Sequence, residues 1–150
     1  GFIRRVELSR DKTWTLLDNF LRPVGRDLIV ASEKYATRVD NDKSLDDAVS
    51  EAGEAVDSVQ MALEAQIKRL CEATGGVELI QGAERFRNIP YLSSESRRLL
   101  DTFVAADQAY CAIELGRRER VLDTTASRAE GKAIWTLYQE LQVKVSTIRH

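Results

Sequence analysis

The sequence has little of the side-chain chemistry on which most enzymes and metalloproteins depend. His150 is the only histidine among 150 residues and stands at the last position, so neither a histidine-based catalytic triad nor a zinc site is expected. The two cysteines, Cys71 and Cys111, lack the paired spacing of a metal motif and are interpreted as buried free thiols in a reducing compartment. The sequence also lacks a glycine-rich phosphate loop. The adjacent glycines Gly75-Gly76 are instead typical of a helix end.

Two groups of carboxylate residues in the sequence are candidates for a functional role. Asp18 and Asp101 can form a pair, although each is more simply expected to cap a helix or to form a local salt bridge. Four others lie at helical spacing and suit either a metal ion or a solvated helix face, and the second explanation is the simpler: Asp46, Asp47, Glu51 and Glu54. No constellation specifies a reaction, so we expect a protein that is not an enzyme and needs neither a cofactor nor a metal.

Long hydrophobic runs are absent as well. No stretch of about 18 apolar residues is available for a membrane span, and the sequence shows no secretory signal pattern. We therefore expect a soluble, cytoplasmic protein with no membrane partner. The chain is long enough to bury a substantial core, and residues 1–150 are interpreted as a single helical domain.

What the sequence does contain is a segment that occurs twice. Residues 2–8 lead into a helix with Leu16-Leu17-Asp18, and residues 84–91 lead into a helix with Leu99-Leu100-Asp101. Arg87 stands 83 positions after Arg4, and the same shift aligns the two helices. Each copy is typical of a short arginine-bearing strand followed by an amphipathic helix. The copies span about residues 2–38 and 84–120, and chance similarity between two amphipathic helices is the alternative explanation.

Helical periodicity covers most of the chain outside the two strands and predicts about five helices. Pro23 and Gly25 are expected to break or kink the first helix, since proline removes a hydrogen-bond donor. The starts of the helices are assigned to residues with short polar side chains: Ser9 or Asp11, Ser44, Ser93 or Ser94, and Thr124 or Thr125. The predicted fold class is therefore mainly α with a small two-stranded antiparallel ribbon, in a pseudo-twofold strand–helix repeat.

The long helix predicted over residues 44–73 carries a coiled-coil-like seam of apolar side chains. The seam suits packing inside the chain, and the alternative is an interface with a second copy or with a partner protein. The residues of this seam that would form such an interface are Leu45, Val49, Val56, Val59, Leu63 and Ile67.

Charge is distributed unevenly along the chain, although the net charge is only −2. Residues 1–26 carry six Lys/Arg against three Asp/Glu, and residues 84–98 carry four Arg against two Glu. Residues 40–64, in contrast, carry eight Asp/Glu against one Lys. The two copies are thus basic, and clustered charge of this kind can mark a partner site. The acidic segment between them is interpreted as a solvated helix face.

The two basic strands suit double-stranded DNA. Strands related by a pseudo-twofold axis can pair antiparallel, and such a ribbon fits the major groove. Outward arginine and asparagine can read guanine and adenine there, while residues at helix starts can bind phosphates. The candidates are Arg4, Arg5, Arg85, Arg87 and Asn88 for bases, and Arg10, Lys12, Arg97 and Arg98 for phosphates. Periodicity does not settle which strand face points outward, and pairing of these arginines with Glu7 and Glu84 is the alternative.

Three motifs in the two copies resemble those of a known family. They are Val6-Glu7-Leu8-Ser9 before Thr13-Trp14-Thr15-Leu16-Leu17, Phe86 to Tyr91 before Ser93-Ser94-Glu95-Ser96, and Leu99-Leu100-Asp101 with Asp107. Their order is similar to that in the AcaB-like family of proteins from conjugative plasmids and integrating conjugative elements. The resemblance implies a ribbon-helix-helix-like DNA-binding core in a transcriptional regulator of transfer genes. The acidic overall balance departs from this pattern and argues against strong nonspecific DNA binding.

Two other functions fit the same sequence. The first is a non-enzymatic helical adaptor in conjugation machinery, which would act as a homodimer or bind a protein partner through the seam of the long helix. The second is a small-ligand site in the helical core, lined by aromatic side chains that plain core packing also explains: Trp14, Tyr110, Trp135 and Tyr138.

Overall fold

The chain is built from one strand followed by two helices, and then from the same order again. The computed structural model describes residues 2–37, 43–75 and 85–149, and the side chains of residues 2–30, 50–75 and 85–147. The elements are β1 (Phe2–Leu8), α1 (Asp11–Thr37), α2 (Lys43–Ala73), β2 (Arg85–Tyr91), α3 (Ser94–Arg118) and α4 (Thr124–Arg149). The fold is mainly α with a two-stranded antiparallel sheet, as predicted. None of the helices in these ranges combines the length and the apolar character that a membrane span requires.

β1 and β2 form the predicted ribbon. They pair antiparallel, with Arg5 opposite Asn88 at the centre of the register. Alternate residues of a strand point to opposite faces, and directly opposite residues share a face. Val6, Leu8 and Ile89 lie together on one face and are buried. Because a two-stranded ribbon alone is only marginally stable in water, its stability depends on this contact with the helices.

α1 continues through Pro23, so the described residues contain four helices where about five were predicted. A proline inside a helix costs about 3 kcal/mol. The turns on both sides of it bury Phe20, Val24 and Leu28 in the core. Burying side chains of this size contributes about 1.5–3 kcal/mol each, which together exceeds the cost of the proline. Tertiary packing thus overrides the local signal that predicted a break.

The seam of α2 packs inside the chain. Val56, Val59 and Leu63 are buried in the core, and Ile67 packs against its edge. α2 packs chiefly against α3 and α4, and also contacts α1. The seam therefore serves intramolecular packing wherever its side chains are described. Predictions for five residues at the start of this helix lie outside the described side chains: Ser44 as a cap, Leu45 and Val49 as interface residues, and Asp46 and Asp47 as part of the acidic helix face.

Asp107, near the middle of α3, receives the hydrogen bonds at the start of α1. Its carboxylate accepts from the amides of Ser9 at 3.0 Å and Arg10 at 2.9 Å, and from the hydroxyls of Ser9 at 3.0 Å and Thr13 at 2.7 Å. Sequence reasoning assigned this task to Ser9 or Asp11, but Ser9 donates to the acceptor from α3. At the start of α3, Ser93 forms the predicted cap, with its hydroxyl accepting from the Ser96 amide. α4 begins at Thr124, as predicted.

A carboxylate of α4 binds two side chains of α2. Arg69 donates to both oxygens of Glu130 at 2.8 Å, and Gln66 donates to the same carboxylate at 2.8 Å. These bonds, the one from Arg69 above all, lower the pKa of Glu130 below its ordinary value. Glu130 is therefore ionised at neutral pH and holds α4 against α2.

Two glycines in helices differ in the space around them and test the packing directly. A Cβ at Gly25 would meet nothing within 4 Å, whereas a Cβ at Gly116 would lie 2.8 Å from Cδ1 of Leu122. Since glycine is about 1 kcal/mol less favourable than alanine in a helix, Gly25→Ala should raise the free energy of unfolding by roughly 0.5–1 kcal/mol. Gly116→Ala should lower it by about 1–2 kcal/mol because Leu122 must move. Urea unfolding followed by circular dichroism measures both, and shifts of the same sign would contradict this account.

Candidate nucleic-acid interface

One face of the ribbon is exposed to solvent, and the other packs against the helices. The solvent face is formed by alternate residues of both strands, which are exposed: Ile3, Arg5, Glu7, Phe86, Asn88 and Pro90. Arg5 lies opposite Asn88 at its centre. We call this surface the outer ribbon face. Of the five predicted base-reading residues, it carries Arg5 and Asn88.

Arg5 is held in place by two neighbours and still reaches solvent. Its guanidinium carbon lies 3.8 Å from the centroid of the Phe86 ring, and its Nε lies 2.8 Å from a carboxylate oxygen of Glu7. The side chain nevertheless stays 58% exposed. A guanidinium supported by an aromatic ring and a carboxylate keeps a restricted set of conformations. Less conformational entropy is therefore lost when it binds a planar acceptor pair.

The other three strand arginines point towards the helices. Arg4 forms an ion pair with Asp101, and Arg87 pairs with Asp18 at 2.6 Å. Arg85 pairs with Asp11 of α1. The guanidiniums of Arg87 and Arg85 also lie over the Trp14 ring, at 4.5 and 6.0 Å from its centroid. These three side chains attach the ribbon to the helices, and in this arrangement they do not face outward.

Two of these ion pairs connect the two sequence copies crosswise. Asp18 and Asp101 do form salt bridges, but with partners 69 and 97 positions away rather than locally. Arg4 of the first copy meets Asp101 of the second, and Arg87 of the second meets Asp18 of the first. The two aspartates therefore do not form a carboxylate pair with each other, which was the alternative.

The predicted phosphate-binding residues fall into two groups. Arg98 pairs with Asp57 at 2.7 Å. Arg10 donates to the Cys111 sulfur at 3.3 Å and pairs with Glu114 at 3.0 Å, and the bond to sulfur raises the pKa of Arg10 above its ordinary value. Lys12 and Arg97 are exposed and, within the described part of the chain, have no ion-pair partner. Lys12 and Arg97 are thus the accessible cations beside the ribbon.

A cleft that sequence reasoning did not identify lies between the start of α1, the second half of α3 and the first half of α4. Its volume is about 900 Å³. Tyr110 and Trp135, two of the four aromatics proposed for a small-ligand site, line it, while Trp14 and Tyr138 belong to the core. Several basic residues surround it, and among the described residues no His/Cys/Asp/Glu group is arranged to hold a metal ion.

Comparison with known proteins supports the fold. No protein-family model and no curated protein sequence matches this chain. Among solved structures, the chain is similar to AcaB from uropathogenic E. coli, with a TM-score of 0.85 and 12% sequence identity. The match covers 99% of this chain and 78% of the AcaB chain. The resemblance to AcaB-like proteins inferred from the motifs is therefore confirmed as a likeness of fold over almost the whole chain.

Proposed function

We propose that the protein is a DNA-binding transcriptional regulator of a mobile genetic element, which reads the major groove with the outer ribbon face. The observation that carries this proposal is the register, which puts Arg5 and Asn88 side by side at the centre of an exposed two-stranded ribbon. A ribbon of this width enters the major groove. Arginine can bond guanine O6 and N7, and asparagine can bond adenine N6 and N7, each in a bidentate manner.

We also propose a pseudo-twofold relation between the two halves of the chain, which a common sequence offset supports. β1 and β2 begin at Phe2 and Arg85, and α1 and α3 begin at Asp11 and Ser94, so both pairs are offset by 83 positions. The crosswise ion pairs connect residues related by the same offset. The same offset relates Arg5 to Asn88, which are paired in the register, so the proposed pseudo-twofold axis would pass between them. One chain then presents both halves of a ribbon-helix-helix-like unit.

The same axis predicts the form of the DNA site. Operator symmetry mirrors protein symmetry, and Arg5 and Asn88 prefer different bases. The site should therefore be an imperfect palindrome, with guanine favoured in one half and adenine at the corresponding position of the other. Ile3 and Phe86, also related by the offset, are 71% and 52% exposed on the outer ribbon face. Apolar side chains in the major groove contact the methyl group of thymine.

Phosphate contacts should be few. Lys12 and Arg97 are the accessible cations beside the ribbon, and the amides at the start of α3 can add to them. The logarithm of the binding constant falls by roughly 0.9 per phosphate contact for each tenfold rise in salt. Two to four contacts correspond to a slope of about −2 to −4. With a net charge of −2, we expect weak nonspecific binding and dependence on base contacts for affinity.

The test begins with selection of binding sites from a pool of randomised duplexes. Fluorescence anisotropy over a salt series then compares the wild type with Arg5→Ala. The variant should lose about 1–3 kcal/mol on the selected site and discriminate less at one base pair. Lys12→Ala should weaken all duplexes alike and reduce the salt slope by about 1.

Lys144→Ala is the matched control for charge. Lys144 is exposed on α4 and is not part of the ribbon, so its removal subtracts one positive charge without touching the outer ribbon face. Arg5→Ala and Lys144→Ala with equal affinities would exclude a base-reading role for Arg5. A folded wild type that binds no duplex at low salt would exclude direct DNA binding by this chain.

A second candidate, the non-enzymatic adaptor, is favoured by an apolar end of the ribbon. Phe2, Ile3 and Leu92 are 70%, 71% and 65% exposed there, and exposed apolar patches often contact proteins. The buried seam of α2 does not provide this surface, so an adaptor would use the ribbon end. Leu92→Ser separates the candidates, because it removes the apolar side chain without adding a charge and should abolish a partner contact while leaving the affinity for DNA unchanged.

A further inference from the structure

The cleft between α1, α3 and α4 has the size and shape of a ligand site. At about 900 Å³ it lies within the range of roughly 300–1,000 Å³ that is typical of small-molecule sites. On α4, Arg128, Gly131, Lys132 and Trp135 line it. These positions are spaced three, four and seven residues from the first, so they form one face of the helix. The side chains of Arg128, Lys132 and Trp135 therefore converge on the cleft.

The cleft is positively charged although the chain is net negative. Five basic and two acidic residues line it. Both acidic residues already have partners, since Asp11 pairs with Arg85, and Glu114 pairs with Arg10 and Arg118. Of the basic residues, four have no ion-pair partner among the residues that the structure describes: Lys12, Arg117, Arg128 and Lys132. Four uncompensated cations around one concave surface favour a ligand with several negative charges.

Aromatic side chains form part of the wall. Trp135 packs edge-on against Phe20, with ring centroids 4.8 Å apart, and also lines the cleft. Tyr110 lies beside it, and burial raises the pKa of Tyr110 to about 12. A phenol is protonated at neutral pH and can donate a hydrogen bond to an anion. A fixed indole ring offers a planar base a surface on which to stack.

We propose that this cleft binds a nucleoside polyphosphate, with its base against Trp135 and its phosphates among Lys12, Arg117, Arg128 and Lys132. The proposal does not depend on DNA binding by the ribbon. The cleft and the proposed DNA-binding surface are separate and have only Lys12 in common. Duplex DNA fits the cleft less well, since the cations surround a concavity rather than a convex ridge. A planar aromatic wall beside clustered cations favours ligands that carry both a planar base and several negative charges. Ligands that carry only one of the two should bind more weakly.

Titration calorimetry of the full chain with ATP tests the proposal, with adenosine and tripolyphosphate as partial ligands. Arg128→Ala/Lys132→Ala removes two phosphate contacts from an exposed helix face and should weaken ATP binding by roughly tenfold or more. Lys68→Ala/Lys144→Ala removes the same charge elsewhere on exposed surface and should change ATP binding by less than about twofold.

Gly131→Leu tests the shape of the cleft without changing charge. A Cβ at this position would lie 4.0 Å from the Tyr110 ring, which is ordinary contact, and Gly131 lines the cleft, so we expect the leucine side chain to extend into it. We expect this variant to lose ATP binding while its circular dichroism spectrum stays unchanged. Retained ATP affinity in Gly131→Leu would show that the ligand does not enter the cleft.

Three further results would overturn the proposal. The first is no ATP binding by the folded wild type at low salt. The second is equal affinity for tripolyphosphate and ATP, which would reduce the cleft to a surface for anions alone. The third is a loss of duplex DNA affinity in Arg128→Ala/Lys132→Ala when ATP does not bind. That result would assign these cations to the DNA-binding surface.

Discussion

Replacing Asp107 by alanine should lower the free energy of unfolding by about 3–5 kcal/mol. The carboxylate accepts four hydrogen bonds from Ser9, Arg10 and Thr13, and it is 3% exposed. Thr13 is buried, whereas Ser9 and Arg10 are half-buried, and a buried donor left without an acceptor costs about 1–3 kcal/mol. The loss should exceed the roughly 0.5–2 kcal/mol of an ordinary helix cap, because this one group also joins the end of β1 to α3. Urea unfolding followed by circular dichroism measures the change.

Asp101→Ala is the matched control, since it makes the same substitution on the same helix. Asp101 is 47% exposed and pairs with Arg4, and an exposed ion pair contributes at most about 1 kcal/mol. Asp107→Asn should fall between the two, because its amide oxygen can replace only one carboxylate oxygen and its amide nitrogen faces a donor. If Asp107→Ala costs no more than Asp101→Ala, the four bonds to Asp107 do not stabilise the fold as argued.

Local patterns in the sequence were sufficient to place the elements. Imperfect alternation predicted a strand at residues 2–8, and the repeat predicted a second at residues 84–91; they occur at Phe2–Leu8 and Arg85–Tyr91. Period-two alternation and helical periodicity are properties of neighbouring residues, so both survive without knowledge of tertiary contacts. The exception is Pro23, where burial of Phe20 and Val24 decided against a break that the local chemistry predicted.

What the sequence could not supply was the partner of each side chain. The outward direction of Arg5 and the inward direction of Arg87 depend on helices that are distant along the chain. Asp107 did leave a signal, because it falls four residues after Phe103 and three before Tyr110, on an apolar helix face. An acidic residue at a buried position requires donors, but nothing local identifies them as Ser9 and its neighbours.

The unknown partners of the side chains also limited the prediction of the candidate site. Basic composition predicted a partner site on both ribbon strands, yet Arg4, Arg85 and Arg87 form ion pairs with aspartates of the helices. The composition of a segment therefore overestimates the charge that it offers to a partner. The unpaired cations of the cleft had a visible signal, namely Arg128 and Lys132 one helical turn apart beside an aromatic residue. The sequence alone did not show that residues of α1 and α3 form a cleft with Arg128 and Lys132.

Trp14→Ala should destabilise the protein by roughly 3–5 kcal/mol, the usual cost of removing a buried tryptophan. The ring is 6% exposed, and its Nε1 donates to the Leu8 carbonyl at 3.2 Å. It also lies beneath the guanidiniums of Arg87 and Arg85. One side chain of α1 thus contacts both strands, while the ribbon has few other buried residues. We expect Trp14→Phe to cost less, because it keeps a buried ring and loses chiefly the hydrogen bond.

Hydrogen exchange distinguishes loss of the ribbon from loss of the core. If Trp14 holds the ribbon on the helices, the amides of β1 and β2 should exchange faster in Trp14→Ala than those of α2 and α3, beyond any general destabilisation. Under the proposed DNA-binding function, the affinity for selected DNA should fall as well, because Arg5 and Asn88 lie side by side only when the strands are paired. Uniform acceleration in every element would instead mean that Trp14 supports the core as a whole. The ribbon would then be held mainly by Val6, Leu8 and Ile89.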